Sequence, residues 1–355
     1  MAWLYGRHWS RRELVSHVGD ISQLASVRLA ELNDGRGRGV RLADVTTGSG
    51  FNFTILIDRG MDIGAASLNA HSLVWHSATG VAHPAYFTGK GWLRGFHGGL
   101  LVTCGLGNVG PAGQDEDGPY DMHGYASYIP AALHSYGGRW SGDDYHLWVE
   151  GTIRETSVFG LNMIMTRRIE TSLGSQHLTI NDRIENLGER RAPLMLLYHC
   201  NFGFPLIKED SEIWINQRSV KPRDLIAEAG LSTHLRCETP RVCFAEQVFF
   251  HDVIPDNQGT VTAAIANPKL RLTAYLRYRK AELPNLIQWK QLGHGTYVVG
   301  LEPANCLPLG RATERERGTL QFLQPGEERS FQLEIGSASG EADFERLRES
   351  VSAAN

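Results

Sequence analysis

Three segments of this 355-residue chain bring acidic, basic and aromatic side chains next to turn residues. They cover residues 92–99 with 120–125, then 196–205, then 297–305. His199 ends an apolar run and Glu302 lies inside another. An unpaired buried charge costs several kcal/mol, so these two side chains either satisfy one another or line a pocket. Burial raises the pKa of a glutamate and an imidazole titrates near neutrality, which suits the two for general acid–base chemistry.

Short strands must position these groups. Alternating or β-branched runs, separated by turn residues about every 8 to 12 residues, predict an all-β protein built as one large antiparallel β-sandwich. The runs lie at 51–57, 145–153, 177–184, 260–265, 270–278 and 297–301. Helical patterns occur only near the ends, at 11–18 and 342–353. Without a repeat or linker, the sequence predicts one domain over 1–355, with its core at about 40–337 and helical extensions at both ends.

Composition excludes several functional classes. Lys+Arg number 35 against Asp+Glu 39, a formal net charge of -4, so neither nucleic acid nor an acidic membrane is an expected partner. Five cysteines without CxxC spacing argue against a disulfide framework. No apolar run approaches ~18 residues, and no signal-peptide core follows the N-terminus. We therefore expect a soluble cytoplasmic protein.

A glycine-rich motif at 105–110 has the G-x-G-x-x-G spacing of a dinucleotide-binding turn. That turn must open a helix whose N-terminus holds the pyrophosphate. Pro111, Gly113 and an acidic turn follow instead, so the motif is interpreted as loop glycines.

An ordered set of motifs resembles the galactose mutarotase-like superfamily, which includes the aldose 1-epimerases and hexose-phosphate mutarotases. The resemblance is greatest to a bacterial branch with the signatures DRGMDIG and LYHCNFG, both present at 58–64 and 197–203. Matching segments occur in the same order over about residues 55 to 335. They lie at 64–77, 94–99, 121–125, 186–202, 301–303 and 324–328.

The resemblance implies a β-sandwich that binds a sugar in a shallow groove on one sheet. By motif, His199 is the general acid that protonates the ring oxygen, and Glu302 is the general base that takes the proton of the anomeric hydroxyl. Ring opening, rotation about C1–C2 and reclosure then interconvert the anomers. This chemistry needs one acid, one base and no cofactor. The motif departs from the family at Cys200 and Asn201, which puts the substrate in question more than the fold.

Further residues are predicted to bind the substrate. His123 holds it or the developing oxyanion, Arg94 grips a hydroxyl or carboxylate, and His97 is a candidate for the pocket wall. The rings of Tyr125 and Trp289 are candidate stacking surfaces for a sugar, or ordinary core. A last set, either a substrate clamp or an internal salt-bridge cluster, is interpreted as a clamp: Asp58, Arg59 and Asp62.

Three functions follow for comparison. The leading one is an aldose 1-epimerase-like isomerase acting on an unphosphorylated sugar or sugar acid. The second is a metal-assisted sugar epimerase in which His97, His123, His199 and Glu302 gather a divalent ion. The third is a non-catalytic carbohydrate-binding protein. Monomer and homodimer are equally compatible with the sequence.

Overall fold

Antiparallel strands dominate the computed structural model, which describes residues 1–87 and 91–352. The strands are β1 (Ala2–Leu4), β2 (Arg7–Trp9), β3 (Ser26–Glu31), β4 (Arg41–Thr46), β5 (Phe51–Leu56), β6 (Asp62–Leu68), β7 (His71–Ser72), β8 (Val102–Leu106), β9 (Gly113–Asp115), β10 (Gly118–Tyr120), β11 (Ala132–Ser141), β12 (Asp144–Thr156), β13 (Asn162–Ser172), β14 (His177–Asn186), β15 (Ala192–Phe202), β16 (Glu212–Ile215), β17 (Gln217–Pro222), β18 (Gln247–Val253), β19 (Thr260–Asn267), β20 (Leu272–Arg279), β21 (Asn285–Gly293), β22 (Thr296–Ala304), β23 (Gln321–Leu323) and β24 (Glu328–Ser339).

Helices are short. The α-helices are α1 (Arg11–Val15), α2 (Leu225–Ala229), α3 (Arg311–Glu316) and α4 (Glu341–Ser352). Single 3₁₀ turns lie at Ile21–Gln23, Gly35–Gly37, Pro84–Tyr86, Trp92–Arg94, Ala126–Tyr128 and Leu231–Thr233. In the part of the chain that the structure describes, no helix is long and apolar enough to cross a membrane.

Three sheets make up the body of the fold. One has the order β11-β12-β13-β14-β24-β20-β19-β16, and a second has the order β17-β18-β21-β22-β15-β23 with β8 also paired to β15. A third runs in sequence order from β3 to β7. Apolar side chains from all three form one buried cluster, as expected when sheets pack face to face.

β15 is an inner strand of the second sheet, paired with β22, β23 and β8. It is covered on both faces, because every one of its residues is buried. Successive side chains of a strand point to opposite faces. Tyr198 and Cys200 belong to the main core, whereas Met195 and Leu197 belong to a second apolar cluster. His199 has the parity of Met195 and Leu197, so it points to the second cluster and away from the core between the sheets.

The all-β prediction is confirmed. Each of the six predicted runs overlaps an observed strand, and the ends agree to within three residues. The helix predicted at 11–18 stops at Val15, and the one predicted at 342–353 is observed as α4, with residue 353 outside the described residues. Helices were expected only at the ends, which was wrong, because α2 and α3 lie inside the chain. The glycine-rich motif ends β8 and leads to the hairpin β9–β10, not to a helix. The single-domain organisation stays a prediction.

Candidate active site

Two neighbouring strands bring His199 and Glu302 together. The antiparallel register pairs Cys200 of β15 with Leu301 of β22. One residue earlier on β15 and one residue later on β22, His199 therefore lies opposite Glu302. Ile287 of β21 pairs with Glu302 on the other side. The two predicted catalytic residues, about 100 positions apart in the chain, thus become direct cross-strand neighbours on one face of the sheet.

The His199–Glu302 pair is close and buried. Nε2 of His199 lies 3.2 Å from Oε1 of Glu302. The residues are 7% and 3% exposed, respectively. The sequence raised two possibilities, that these groups satisfy one another or that they line a pocket. The groups are in contact, but Oε1 of Glu302 has no hydrogen-bond partner among the described residues, so the contact alone does not satisfy the pair. The distance is within reach of a proton transfer once the two groups align.

Burial sets the charge of the pair. Desolvation, and then the nearby His123, lower the pKa of His199 to about 3. Desolvation, and then the charge of Glu246, raise the pKa of Glu302 to about 8, while Arg223 acts in the opposite direction. Both shifts favour the neutral forms. At neutral pH the pair therefore holds one proton, which rests on the carboxyl group.

Aromatic rings surround the pair. The ring of Phe96 lies 5.1 Å from that of His199 and the ring of Trp289 lies 5.4 Å from it, both edge-on. Trp92 stacks on Phe96 at 4.6 Å, and Trp75 meets Trp289 at 6.0 Å. Trp75 and Trp289 are only half-buried. The pair thus lies in an apolar surrounding whose outer rings reach the solvent, where the C–H faces of a sugar could stack.

His123 is the second histidine of the site. Its ring lies 6.4 Å from that of His199 and 4.6 Å from that of Trp92. Its backbone has φ 56°, a left-handed conformation that is uncommon for a residue with a side chain. Nδ1 accepts a hydrogen bond from the Gly110 N–H at 3.4 Å. This bond leaves Nε2 as the protonated nitrogen, so His123 is a neutral donor.

An ion pair stands at the rim of the site. Nη2 of Arg223 donates to Oε1 of Glu246 at 3.0 Å, and Nε1 of Trp289 donates to Oε2 of the same carboxylate at 3.0 Å. Glu246 thus fixes the ring of Trp289 while its charge acts on Glu302.

Gly300 makes room for the carboxyl group. It lies two residues before Glu302 on the same face of β22 and pairs with Asn201 and Trp289. A Cβ at this position would stand 2.7 Å from Oε1 of Glu302 and 3.2 Å from Cβ of Trp289. Any side chain here would therefore displace the carboxyl group.

Buried polar atoms without a hydrogen-bond partner collect here. Among the described residues they include Nε1 of Trp92, Nδ1 of His199, Oδ1 of Asn201 and Oε1 of Glu302. Such atoms are rare in native structures and call for an explanation. A polar ligand would supply partners to them.

Other predicted residues occupy different places. Tyr125 donates its hydroxyl hydrogen to Asp121, and its ring meets Phe87 edge-on at 5.7 Å. Arg94 ends the 3₁₀ turn that carries Trp92 and is exposed. His97 is 1% exposed, with both ring nitrogens unpartnered among the described residues. Burial, then the charge of Arg59, hold the pKa of His97 well below its usual range.

Arg59 is a loop anchor. It is fully buried, and its guanidinium donates to the carbonyl oxygens of Ser127, Ala82 and Gly95 at 2.7, 3.1 and 3.0 Å. It also lies over the ring of Tyr128 at 4.4 Å. These bonds join three loops, including the one that carries Phe96. The guanidinium is saturated by the protein itself, so the contacts do not support its interpretation as a clamp.

The two acidic neighbours of Arg59 also have internal partners. Asp58 forms an ion pair with Arg41, and Asp62 accepts from Thr103 Oγ1 at 2.6 Å and lies 3.4 Å from Arg167. The side chain of Asp62 is fully buried. All three side chains have internal partners, which does not support a substrate clamp. The two carboxylates form ion pairs with Arg41 and Arg167 and not with Arg59, so the three residues do not form one salt-bridge cluster.

The metal alternative lacks its cluster. Within residues 1–87 and 91–352, no group of three or more His, Cys, Asp or Glu side chains is close enough together to hold a metal ion. His97, His123, His199 and Glu302 therefore do not form the ligand set that this alternative requires.

Several residues of the site were not predicted from the sequence. Asn201 and Gly300 lie two residues from His199 and Glu302 on the same strands, so the period of two could have identified them. Phe96 lies between the predicted residues 94 and 97. Arg223 and Glu246 had no such signal, because they reach the site through separate strand ends.

The chain has the β-sandwich fold of galactose mutarotase-like proteins. It is similar to a Klebsiella pneumoniae protein called a "putative aldose 1-epimerase", at 23% identity and TM-score 0.87, covering 94% of this chain and 90% of that one. A galactose mutarotase-like protein from Clostridium acetobutylicum is similar at 14% identity and a TM-score of 0.61, covering 88% of this chain and 98% of that one. Galactose 1-epimerase from Lactobacillus acidophilus is similar at 14% identity and a TM-score of 0.59, covering 89% of this chain and 99% of that one.

The chain belongs to the family described as Domain of unknown function (DUF4432), whose model matches residues 37–336. No curated protein matches it.

Proposed function

We propose that this protein is an isomerase of the aldose 1-epimerase type, which interconverts the anomers of a free sugar or sugar acid. The observation that carries the proposal is the contact of 3.2 Å between Nε2 of His199 and Oε1 of Glu302. The ring oxygen and the anomeric hydroxyl of a sugar are bonded to the same carbon. One acid and one base placed side by side can therefore serve both oxygens.

The proposed mechanism moves one proton in each direction. In its charged form, the pair has the proton on His199, which passes it to the ring oxygen as Glu302 takes the proton of the anomeric hydroxyl. The ring opens and the C1–C2 bond rotates. The reverse proton transfers then close the ring as the other anomer. Because the neutral and charged forms differ by one proton shift inside the pair, the exchange leaves no net charge in the buried site.

Neighbouring groups have proposed roles in binding. Nε2–H of His123 donates to a substrate oxygen, and the half-buried ring of Trp289 stacks on the sugar. Arg94, which is exposed, is a proposed contact for a hydroxyl or carboxylate group of the substrate. Cationic groups are few here, which favours an unphosphorylated substrate. No cofactor enters the scheme.

The test is NMR exchange spectroscopy or polarimetry on freshly dissolved sugars and uronates. We expect Glu302→Gln and His199→Asn to lower the interconversion rate by about 100-fold or more while the variants still bind the sugar. Arg183→Gln, an exposed change on β14, is the matched control. Equal rates at equal binding in wild type and Glu302→Gln would exclude catalysis by this pair and favour a carbohydrate-binding protein without turnover.

A further inference from the structure

Asn201 lies beside His199 in a position that the proposed mechanism does not yet use. It follows two residues later on β15, on the same face, and is fully buried. Its Nδ2 donates to the backbone carbonyl oxygen of His199 at 2.9 Å. This bond fixes the orientation of the amide group. Oδ1 is left as a buried acceptor without a hydrogen-bond partner among the described residues.

The ring of His199 also has an unpartnered nitrogen. Nε2 faces Glu302, whereas Nδ1 is buried and has no hydrogen-bond partner among the described residues. The two unpartnered atoms belong to adjacent side chains on one face of one strand. The side chain of Asn201 raises the pKa of the imidazole against the larger lowering by desolvation, which is the direction expected of a nearby acceptor.

We infer that Asn201 is a positioning residue, whose Oδ1 accepts the Nδ1 hydrogen of His199 and thereby makes Nε2 the nitrogen that exchanges the proton. The inference rests on the proposed function of the His199–Glu302 pair. The hydrogen bond made by one ring nitrogen selects the tautomer and so determines which nitrogen is free to react.

The proton count is consistent with this role. In the neutral pair, Nδ1 carries its hydrogen toward Asn201, and the bare Nε2 faces the protonated carboxyl group. When the proton moves to Nε2, both imidazolium hydrogens have acceptors, Asn201 on one side and Glu302 or the substrate on the other. With Asn201 absent, a neutral His199 could place its hydrogen on Nε2 and lose the ability to accept there.

The surroundings of His199 leave few other groups to set its tautomer. Glu302 on β22 and His123 on the loop before Ala126–Tyr128 are the ionisable groups that face it. Phe96 and Trp289 contribute only ring edges. The backbone carbonyl oxygen of His199 also raises the pKa of the imidazole, but it already accepts from Nδ2 of Asn201. Oδ1 of Asn201 is therefore the side-chain acceptor that we assign to Nδ1.

Nitrogen-15 NMR of the histidine-labelled full chain tests the inference without reference to activity. The His199 signals are assigned by their loss in His199→Asn. We expect the wild type at pH 7 to show protonated Nδ1 and bare Nε2. We expect Asn201→Leu to give a mixture or the opposite tautomer, and Asn201→Asp, which keeps an acceptor, to retain Nδ1–H. A wild-type-like tautomer in Asn201→Leu would overturn the inference.

Kinetics supply the second measurement. We expect Asn201→Leu to lower kcat by at least about tenfold with little change in KM, because the acid–base step is affected and sugar binding is not. Asn201→Asp should recover part of that loss and move the acidic limb of the pH profile to higher pH, since a carboxylate favours the imidazolium. Equal losses in both variants would contradict a role through the Nδ1 acceptor.

A control separates this role from a general loss of packing. Asn267 is also buried, and its amide binds the carbonyl oxygen of Pro205 and the N–H groups of residues 269 and 270. Asn267→Leu should lower stability but leave the His199 tautomer and the pH profile unchanged. If the wild type turns over no sugar, the proposed function fails, while the NMR measurement still decides the placement of the Nδ1 hydrogen.

Discussion

Two buried polar clusters lie on opposite faces of β15 and solve the same electrostatic problem in opposite ways. Tyr198 points into the core, where its hydroxyl donates to Asp182 at 2.7 Å. His199, the next residue, points to the other face and contacts Glu302. Both sites are withdrawn from water, where charge is costly unless it is paired.

The core cluster is built on paired side chains. Arg167 is fully buried, and its Nε and Nη2 bind the two oxygens of Asp182 at 2.8 and 2.7 Å. Nη1 donates to Gly60 O at 3.0 Å and to Thr103 Oγ1 at 2.9 Å. We call Arg167, Asp182, Asp62, Thr103 and Tyr198 the Arg167 network. Its interactions raise the pKa of Arg167 despite its burial, so the charge is fixed.

The His199–Glu302 pair gives up its charges instead. Burial moves both pKa values toward the neutral forms, and several polar atoms are left without partners. The comparison shows that burial alone does not mark a reactive group. In the Arg167–Asp182 ion pair, both carboxylate oxygens accept fixed hydrogen bonds, whereas both members of the His199–Glu302 pair have unpartnered atoms and pKa values moved toward the neutral forms, as expected of groups that exchange a proton.

Breaking the Arg167 network should have the largest effect. Arg167→Leu leaves Asp182 as a buried carboxylate without its partner, and we expect the free energy of unfolding to fall by about 3 to 5 kcal/mol. Urea unfolding at pH 7 measures this loss. Arg183→Leu, which breaks an exposed ion pair with Glu328, should cost less than about 1 kcal/mol. Similar losses in the two variants would show that the network is not the structural cluster described above.

The His199–Glu302 pair should make the free energy of unfolding depend on pH. The pKa of Glu302 is raised from 4.5 to about 8 on folding, so its contribution to stability is full below 4.5 and is lost as the pH rises through 8. Glu302→Gln removes this titration. Relative to wild type, we therefore expect the variant to gain roughly 3 kcal/mol between about pH 5 and 8. Denaturant unfolding across this range is the measurement.

Glu228→Gln is the control for this titration. Glu228 is exposed on α2, so its replacement removes a surface carboxylate while Glu302 is kept. The same pH dependence in both variants would mean that the carboxyl group of Glu302 is ionised in the folded protein at neutral pH, contrary to the comparison with the Arg167 network.

The smallest expected effect concerns the rim. Glu246→Gln keeps an oxygen for the indole N–H of Trp289 but removes the charge that raises the pKa of Glu302. We expect the alkaline limb of the activity profile to move to lower pH by up to about one unit. Activity measured from about pH 6 to 10 shows the shift. A shift to higher pH would contradict the electrostatic account of Glu302.

The sequence predicted the fold class and singled out the candidate pair. The period of two in 177–184 and the apolar run at 297–301 report local burial, which strands express without reference to their partners. His199 and Glu302 stood out because each is a polar group in an apolar run. The choice between a clamp and an internal ion pair for Asp58, Arg59 and Asp62 could not be made in this way, since the answer depends on which loops meet the guanidinium.

The tertiary structure alone decided what surrounds the pair. Arg223 and Glu246 come from different strand ends and meet at Trp289 only when β17, β18 and β21 pair. Which carboxyl group has a cationic partner was also decided there: Asp182 meets the buried guanidinium of Arg167, whereas Glu302 faces the imidazole of His199. Partners distant in sequence set the desolvation and the Coulomb energy of each group, and strand periodicity carries no information about them.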